Sequence, residues 1–339
     1  MAKRDIVVIG SSAGGITALK GFMSMLPPDF RASIFIVQHL SPHSPSFLPD
    51  ILTHAGPLKA VHPQDGETIQ PGQIYVALPD HHLLVEHDRM IVKKGPKENR
   101  FRPSIDALFR SAAYTYGPRV IGIVLTGMLN DGTSGMWSVK RLSGLTIIQN
   151  PEEALYPSMP DSVLEFVDVD YSASMAEMAE LLHRLTQEDV PDKPSLSVRE
   201  QTRMKTEINI AAEENAFEMG IINLGELTPL TCPECHGSLV SIKEGKLVRY
   251  RCHTGHAYTA GSLLAEVTKT VEEALWQGAR GFEETILLLD QSAKQFAESG
   301  NAKAAEEFAE KSRESREKSR KLHEFIYQQN QKTETGRRK

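Results

Sequence analysis

Residues 5–22 read DIVVIGSSAGGITALKGF. Four β-branched residues, Ile6 to Ile9, run into a turn of glycine, serine and alanine, and a helical pattern follows from Gly15. A continuous apolar run of this length suits a strand buried on both faces of a parallel sheet. The same signature recurs in ASIFIVQ (32–38), QIYVA (73–77), RVIGIVLTG (119–127) and LTIIQ (145–149). Between them lie helical patterns at 15–26, 44–55, 103–116 and 133–142, and the alternating segments of 81–94 read as a hairpin around His87-Asp88-Arg89. The alternation predicts an α/β fold, a doubly wound, mostly parallel sheet with helices on both faces.

The glycine turn excludes two phosphate-binding readings. A dinucleotide loop needs G-x-G-x-x-G, but Ser12 holds the second glycine position; a P-loop needs lysine where Ile16 stands. The nucleophile elbow G-x-S-x-G fits Gly10, Ser11, Ser12, Ala13 and Gly14, and selects Ser12 over Ser11.

Bulk properties narrow the class. The 339 residues are 40 % apolar and 24 % charged, with a net charge of −6. That length suits about two domains, and the acidic balance gives no whole-chain attraction to nucleic acid or anionic membrane. No apolar run approaches the ~20 residues of a membrane span, and the N-terminus does not read as a signal peptide. The three cysteines all lie between Cys232 and Cys252, too clustered for a disulfide framework. A cytoplasmic protein is expected.

In an open parallel sheet, ligands bind beyond the carboxyl ends of the strands. The polar residues there are Ser12 after the first run, His39 after the second, Asp80 after IYVALP and Asp131 in MLNDG. Serine, histidine and aspartate in one place supply nucleophilic acyl transfer: the imidazole takes the hydroxyl proton and the carboxylate orients the imidazole. Asp80 competes with Asp131, and His81 and His82 compete with His39. Each residue also has a plain role open to it, as turn former, satisfied histidine or helix cap.

VVIGSSAGG, FIVQHLSP, IYVALPDHHLLV and LTGMLNDGTSG, in this order over roughly residues 5–185, resemble the catalytic domain of the chemotaxis receptor methylesterases, the CheB family. The resemblance implies a doubly wound α/β fold. It also implies hydrolysis of glutamate methyl esters on chemoreceptors, and deamidation of receptor glutamines in some members. It makes Ser12 the nucleophile, His39 the base, Asp131 the orienting acid and Met128 the donor of an oxyanion-binding backbone N–H. No catalytic cofactor is implied. Ala13 departs from the family's frequent threonine, and Leu129 stands where the family has glycine. The first strand begins near residue 5, so the family's receiver domain is not expected ahead of it.

The rest of the chain reads as three further segments after a catalytic domain at 1–188. A linker with weak helix covers 189–227, a zinc-ribbon-like module 228–258, and long helices or a helical hairpin 259–334. The module rests on Cys232-x2-Cys235 and Cys252 with a histidine at 253 or 256, around a hairpin-like GSLVSIKEGKLVRYR. A C-x3-H gap and Gly255 ease ligation by His256, which similar modules seen with this family also favour; His236 is a rival. A closed Cys3His set is a structural Zn2+ site, expected to serve protein binding, separately from catalysis. KEGKLVRYR is locally basic, yet no nucleic-acid partner is expected. The expected partner is a methyl-accepting chemoreceptor or related signalling protein, with self-association through the C-terminal helices. The rival functions are a same-fold serine hydrolase with another substrate and a non-catalytic signalling adaptor.

Overall fold

The computed structural model describes residues 2–212 and 216–336, with side chains of the last helix described as far as residue 328. In chain order the N-terminal half holds β1 (Ile6–Ser11), α1 (Gly15–Ser24), β2 (Ser33–Gln38), α2 (Leu48–Ala55), β3 (Ala60–Val61) and β4 (Ile74–Val76). Next come β5 (His82–Glu86), β6 (Arg89–Lys93), α3 (Ile105–Tyr116), β7 (Val120–Val124), α4 (Thr133–Arg141), β8 (Leu145–Gln149), α5 (Ser158–Phe166), β9 (Tyr171–Ala173) and α6 (Met175–Leu185). The remainder holds α7 (Val198–Ala212), β10 (Glu226–Thr231), β11 (Ser238–Glu244), β12 (Leu247–Cys252), β13 (Ala257–Thr259), α8 (Ala260–Glu298) and α9 (Ala302–Gly336).

Seven strands form a parallel sheet in the order β3-β4-β2-β1-β7-β8-β9. Side chains alternate between its faces, as the pleat requires. Val7 and Ile9 pack toward α1, α2 and α6 through Leu19, Phe22, Leu52 and Leu182. Val8 packs toward α3, α4 and α5 through Leu108, Phe109, Val139 and Val163. Helices therefore cover both faces, as the apolar runs required. The 81–94 hairpin forms as β5 and β6, outside the main sheet. Elements β3, β9, α5 and α6 escaped the sequence analysis; the two strands are only two and three residues long.

The strand order changes direction beside β1, with β2 on one side of it and β7 on the other, while all strands stay parallel. Ser12 follows β1, His39 follows β2 and Asp131 follows β7, so the strand order itself brings the three loops together at the carboxyl edge.

The Cα positions fall into two compact units, one reaching to Leu263 and one from Leu264 onward. Within the stretch read as a linker, α7 is a fifteen-residue helix that buries Met204, Glu207, Ile210 and Ala211. Ala211 joins Leu84 and Ala107 in one apolar cluster, and the segment is thus docked on the N-terminal domain. Strands β10 to β13 form a four-stranded antiparallel sheet. In the second unit, α8 and α9 run antiparallel: Phe296 stacks on Phe308, and Trp276 meets His323 and Tyr327 edge-on.

Candidate active site and Cys/His cluster

The two adjacent serines have different environments. Ser11 ends β1 fully buried, and its hydroxyl donates to Gln38 Oε1 at 2.7 Å. The Gln38 amide nitrogen donates in turn to the carbonyls of Ser12 at 2.8 Å and His39 at 2.9 Å. Ser11 and Gln38 therefore knit the two strand ends together. Gly15 makes this possible, since a Cβ there would lie 2.1 Å from Gln38 Oε1. Ser12 is turned out of the sheet just ahead of α1, with its N–H donated to the Thr126 carbonyl at 3.0 Å. Gly127 leaves open the space beside it, where a Cβ would sit 2.9 Å from Ser12 Cβ.

Ser12 Oγ lies 3.1 Å from His39 Nδ1, and His39 Nε2 lies 2.9 Å from Asp131 Oδ2. For Nδ1 to accept the serine proton, Nε2 must carry the hydrogen, and Asp131 accepts it. The ring is turned opposite to that of chymotrypsin-like proteases, where Nε2 faces the serine. Phe101 holds the ring plane, stacked at 3.6 Å between centroids and 9° between planes.

Asp131 is buried and heavily hydrogen-bonded. Oδ2 also accepts the Ile105 N–H at 2.7 Å; Oδ1 accepts Asn99 Nδ2 at 3.0 Å and the Ser104 hydroxyl at 2.9 Å. Ser104 and Ile105 begin α3, so Asp131 caps a helix distant in sequence, where the helix dipole favours its charge. Burial alone would raise its pKa. The His39 hydrogen bond and charge, with the Asn99 and Ile105 donors, outweigh that and hold it below the usual carboxylate range. Asp106 answers from α3, accepting the N–H groups of Gly132 at 3.0 Å and Gly135 at 2.6 Å at the start of α4. Burial first, and then the Asp131 charge, push Asp106 up to about 8.

The rival residues are occupied elsewhere. Asp80 pairs with Arg102 at 2.8 Å and Lys94 at 2.8 Å. His82 accepts the Ser104 N–H at Nδ1 and contacts the Pro96 carbonyl through Nε2, and burial pushes its pKa down. His81 bonds the Pro79 carbonyl. Met128 is half exposed, and its N–H finds no backbone acceptor among the described residues. Leu129, at the family's glycine position, adopts φ 64°, a left-handed conformation that strains a leucine.

The sequence analysis missed Asn99, Phe101, Ser104 and Asp106. Ser104 and Asp106, at the head of a legible helix, carried a capping signal; Asn99 and Phe101 carried none.

The four ligand atoms of Cys232, Cys235, Cys252 and His256 lie within 4.8 Å of one another. Cys235 Sγ is 3.6 Å from Cys252 Sγ, and His256 Nδ1 is 3.7 Å from Cys232 Sγ and 3.6 Å from Cys252 Sγ. A tetrahedral ion with bonds of about 2.0–2.3 Å has ligand edges of roughly 3.5–3.8 Å, so the set fits one. His253 points elsewhere, its ring filling the space a Cβ at Gly237 would need. Glu234 stands 3.4 Å from His256 Nε2, where an orienting acceptor belongs.

The basic segment KEGKLVRYR turns its arginines inward. Arg249 and Arg251, with Arg110, are buried against Glu98, Glu207 and Glu244. Arg249 reaches Glu207 and Glu244 at 2.7 Å each, Arg251 reaches Glu98 at 2.5 Å, and Arg110 reaches Glu98 at 3.1 Å. Burial would raise Glu98 and Glu207, but the arginine charges hold both below the ordinary range. Two of the six charges come from β12, one from α7 and one from α3, so the network joins the Cys/His sheet to the N-terminal domain.

The family described as CheB methylesterase matches residues 7–182. The chain belongs to the CheB methylesterase family. It is 38 % identical over 190 residues to a Leptospira interrogans protein provisionally named protein-glutamate methylesterase/protein-glutamine glutaminase, covering 56 % of this chain and 98 % of that one. A Thermotoga maritima protein of the same name is 35 % identical over 184 residues, 53 % of this chain and 54 % of that one. The crystal structure of the Thermotoga maritima CheB methylesterase catalytic domain matches with a TM-score of 0.52 and 35 % identity, covering 55 % of this chain and 99 % of that one. Each match covers little more than half of this chain.

Proposed function

We propose that this CheB-family enzyme hydrolyses methyl esters of glutamate side chains on a chemoreceptor or related signalling protein, by a serine nucleophile. The observation that carries the proposal is the unbroken relay from Ser12 through His39 to Asp131 at the carboxyl edge of the sheet. Ser12 Oγ attacks the ester carbonyl carbon while His39 Nδ1 takes the hydroxyl proton. The oxyanion is received by the Met128 N–H, at a point where charge develops. Collapse breaks the bond to the methoxy oxygen, and His39 returns the proton so that methanol leaves. A water molecule, deprotonated by His39, then frees the glutamate and Ser12. With a glutamine side chain the same steps release ammonia. Asp131 orients the ring and stabilises the imidazolium throughout.

The Cys/His set has the donor chemistry of a structural Zn2+ site. Among the described residues no helix is long and apolar enough to cross a membrane. The exposed apolar side chains Leu287, Leu288, Phe325 and Tyr327 make the helical pair the candidate for self-association.

Methanol release from receptor membranes carrying methylated glutamates tests the substrate. Wild-type protein should release it and the Ser12→Ala protein should not. Turnover of small esters without methanol release would favour another carboxylic substrate on the same machinery, and no turnover of either would favour an adaptor.

A further inference from the structure

The hydrogen bonds around Asp131 continue beyond the N-terminal domain. Asn99 Nδ2 donates to Asp131 Oδ1 at 3.0 Å and to Asp106 Oδ2 at 2.7 Å. Its amide oxygen accepts the Thr259 N–H at 2.9 Å and the Ser262 hydroxyl at 3.0 Å. The Thr259 hydroxyl reaches Asn130 Oδ1 at 2.7 Å, beside Asp131 in the chain. One turn, where β13 passes into α8, thus holds both the residue that donates to Asp131 and the residue that precedes it. Asn99, Thr259 and Ser262 are each at most 3 % exposed, so water does not substitute for a lost partner. An amide is nearly symmetric in shape, and its orientation follows from its neighbours. Here two donors face its oxygen and two carboxylates face its nitrogen.

The backbone repeats the connection. The Asn99 N–H donates to the Ala257 carbonyl at 2.7 Å, and the Ala257 N–H donates to the Lys97 carbonyl at 3.1 Å. Ala257 directly follows His256 of the Cys/His cluster. The 98–101 turn that these bonds support places both Asn99 and Arg100 at positive φ, 50° and 79°. A non-glycine pair in that region persists only when its surroundings hold it. The turn delivers Phe101 onto the His39 ring, and Arg251 of β12 grips its first residue, Glu98.

We propose that the Cys/His module is a positioning element of the catalytic site. Through Ala257 and Thr259 of β13, and Ser262 in the first turn of α8 that follows it, the module sets the 97–101 segment and Asn99, and so holds Asp131 and Phe101 against His39. This rests on Ser12, His39 and Asp131 being the catalytic set. It replaces the expected separation of module and catalysis with a direct dependence.

The test uses the full chain with Thr259→Val and Ser262→Ala combined, which removes both hydroxyls at little change of shape. Two readouts are taken: kcat and KM on p-nitrophenyl acetate, and the downfield proton resonance of the His39 Nε2–H bonded to Asp131. The expected result is a kcat lower by about 10–100-fold, the usual effect of outer-shell partners, with KM within about twofold and the resonance shifted or lost. Thr259→Ser, which keeps the hydroxyl, should restore the single-site loss. Cys235→Ser, which loosens the module from its other end, should lower kcat as well. A folded double variant, or Ser262→Ala alone should the double variant not fold, with wild-type kcat and an unmoved resonance would overturn the proposal. So would full turnover in Cys235→Ser. Absence of the resonance from the wild-type protein would instead overturn the catalytic assignment beneath it.

Discussion

Behind Ser12, His39 and Asp131 stand two broad apolar layers, one on each face of a seven-stranded sheet. Around Cys232, Cys235, Cys252 and His256 the apolar cluster holds, besides cysteines, only Leu239, Tyr250, Tyr258 and Leu263 among the described residues. The first region can position polar groups by packing, because strands locked between helical layers carry their end loops with them. The second is too small for that. A segment of about 30 residues buries too little apolar surface to hold itself, and it leans on charges shared with the larger domain. The difference suggests that loss of a member of the Ser12–His39–Asp131 relay is felt in chemistry, whereas loss of a charge in the shared network is felt in stability.

The largest effect should come from the relay. His39→Ala should lower turnover of a small ester by at least ~10²–10⁴-fold, the contribution of a positioned base, and Ser12→Ala should abolish it, with thermal unfolding nearly unchanged in both. Residual turnover near wild type in either folded protein would break the assignment.

Next is the shared ion network. Glu207→Gln keeps shape but leaves Arg110, Arg249 and Arg251 facing only Glu98 and Glu244. Breaking a buried set this way costs about 3–5 kcal/mol, to be read as a lower urea midpoint at neutral pH. An unchanged midpoint would mean that the two regions do not support one another.

A smaller effect, and one that depends on pH, should come from Asp106. The folded protein keeps its proton up to about 8, whereas the group's ordinary value is 3.8. The native state therefore binds more protons across that window. The stability tied to this group is complete below the ordinary value and is lost as pH rises through the folded one. Asp106→Asn has no proton to lose, so it should gain on wild type as pH rises from about 4 to about 8 in urea melts. Parallel pH profiles would show that Asp106 is ionised beside Asp131.

Ser11→Ala should matter least. It leaves Gln38 Oε1 short of a donor, a loss of about 1–2 kcal/mol in stability, and turnover of a small ester should stay within about twofold of wild type. A loss of turnover comparable with Ser12→Ala would reverse the reading of the elbow.

How much of this was legible follows from the range of each signal. The strands around Ser12, His39 and Asp131 are continuous apolar runs, readable over five or six residues. The 81–94 hairpin was readable from its alternation for the same reason. The inward turn of Arg249 and Arg251 was hidden, because a basic run looks alike in sequence whether it faces solvent or buried glutamates on α7 and in the 97–101 segment. The docking of α7 was hidden too: its pattern is weakly amphipathic, and what it buries includes Glu207, a residue that reads as exposed until its arginine partners are known.

By itself, the sequence determined that a parallel α/β sheet would form and that a serine, a histidine and an aspartate would stand at its strand ends. It also determined that three cysteines and a histidine would be spaced to share one ion. Those properties follow from local periodicity, from the rule that ligands bind beyond the carboxyl ends of parallel strands, and from the spacing of the cysteines and histidines themselves. The tertiary structure alone decided which way His39 faces, that Asp131 caps α3 while Asp106 caps α4, and that Asn99 joins both carboxylates to Thr259 and Ser262. These contacts link residues 32, 160 and 163 positions apart. A hydrogen bond of that span leaves no trace in the residues on either side of it, because its geometry exists only once two separately folded backbones have been brought together.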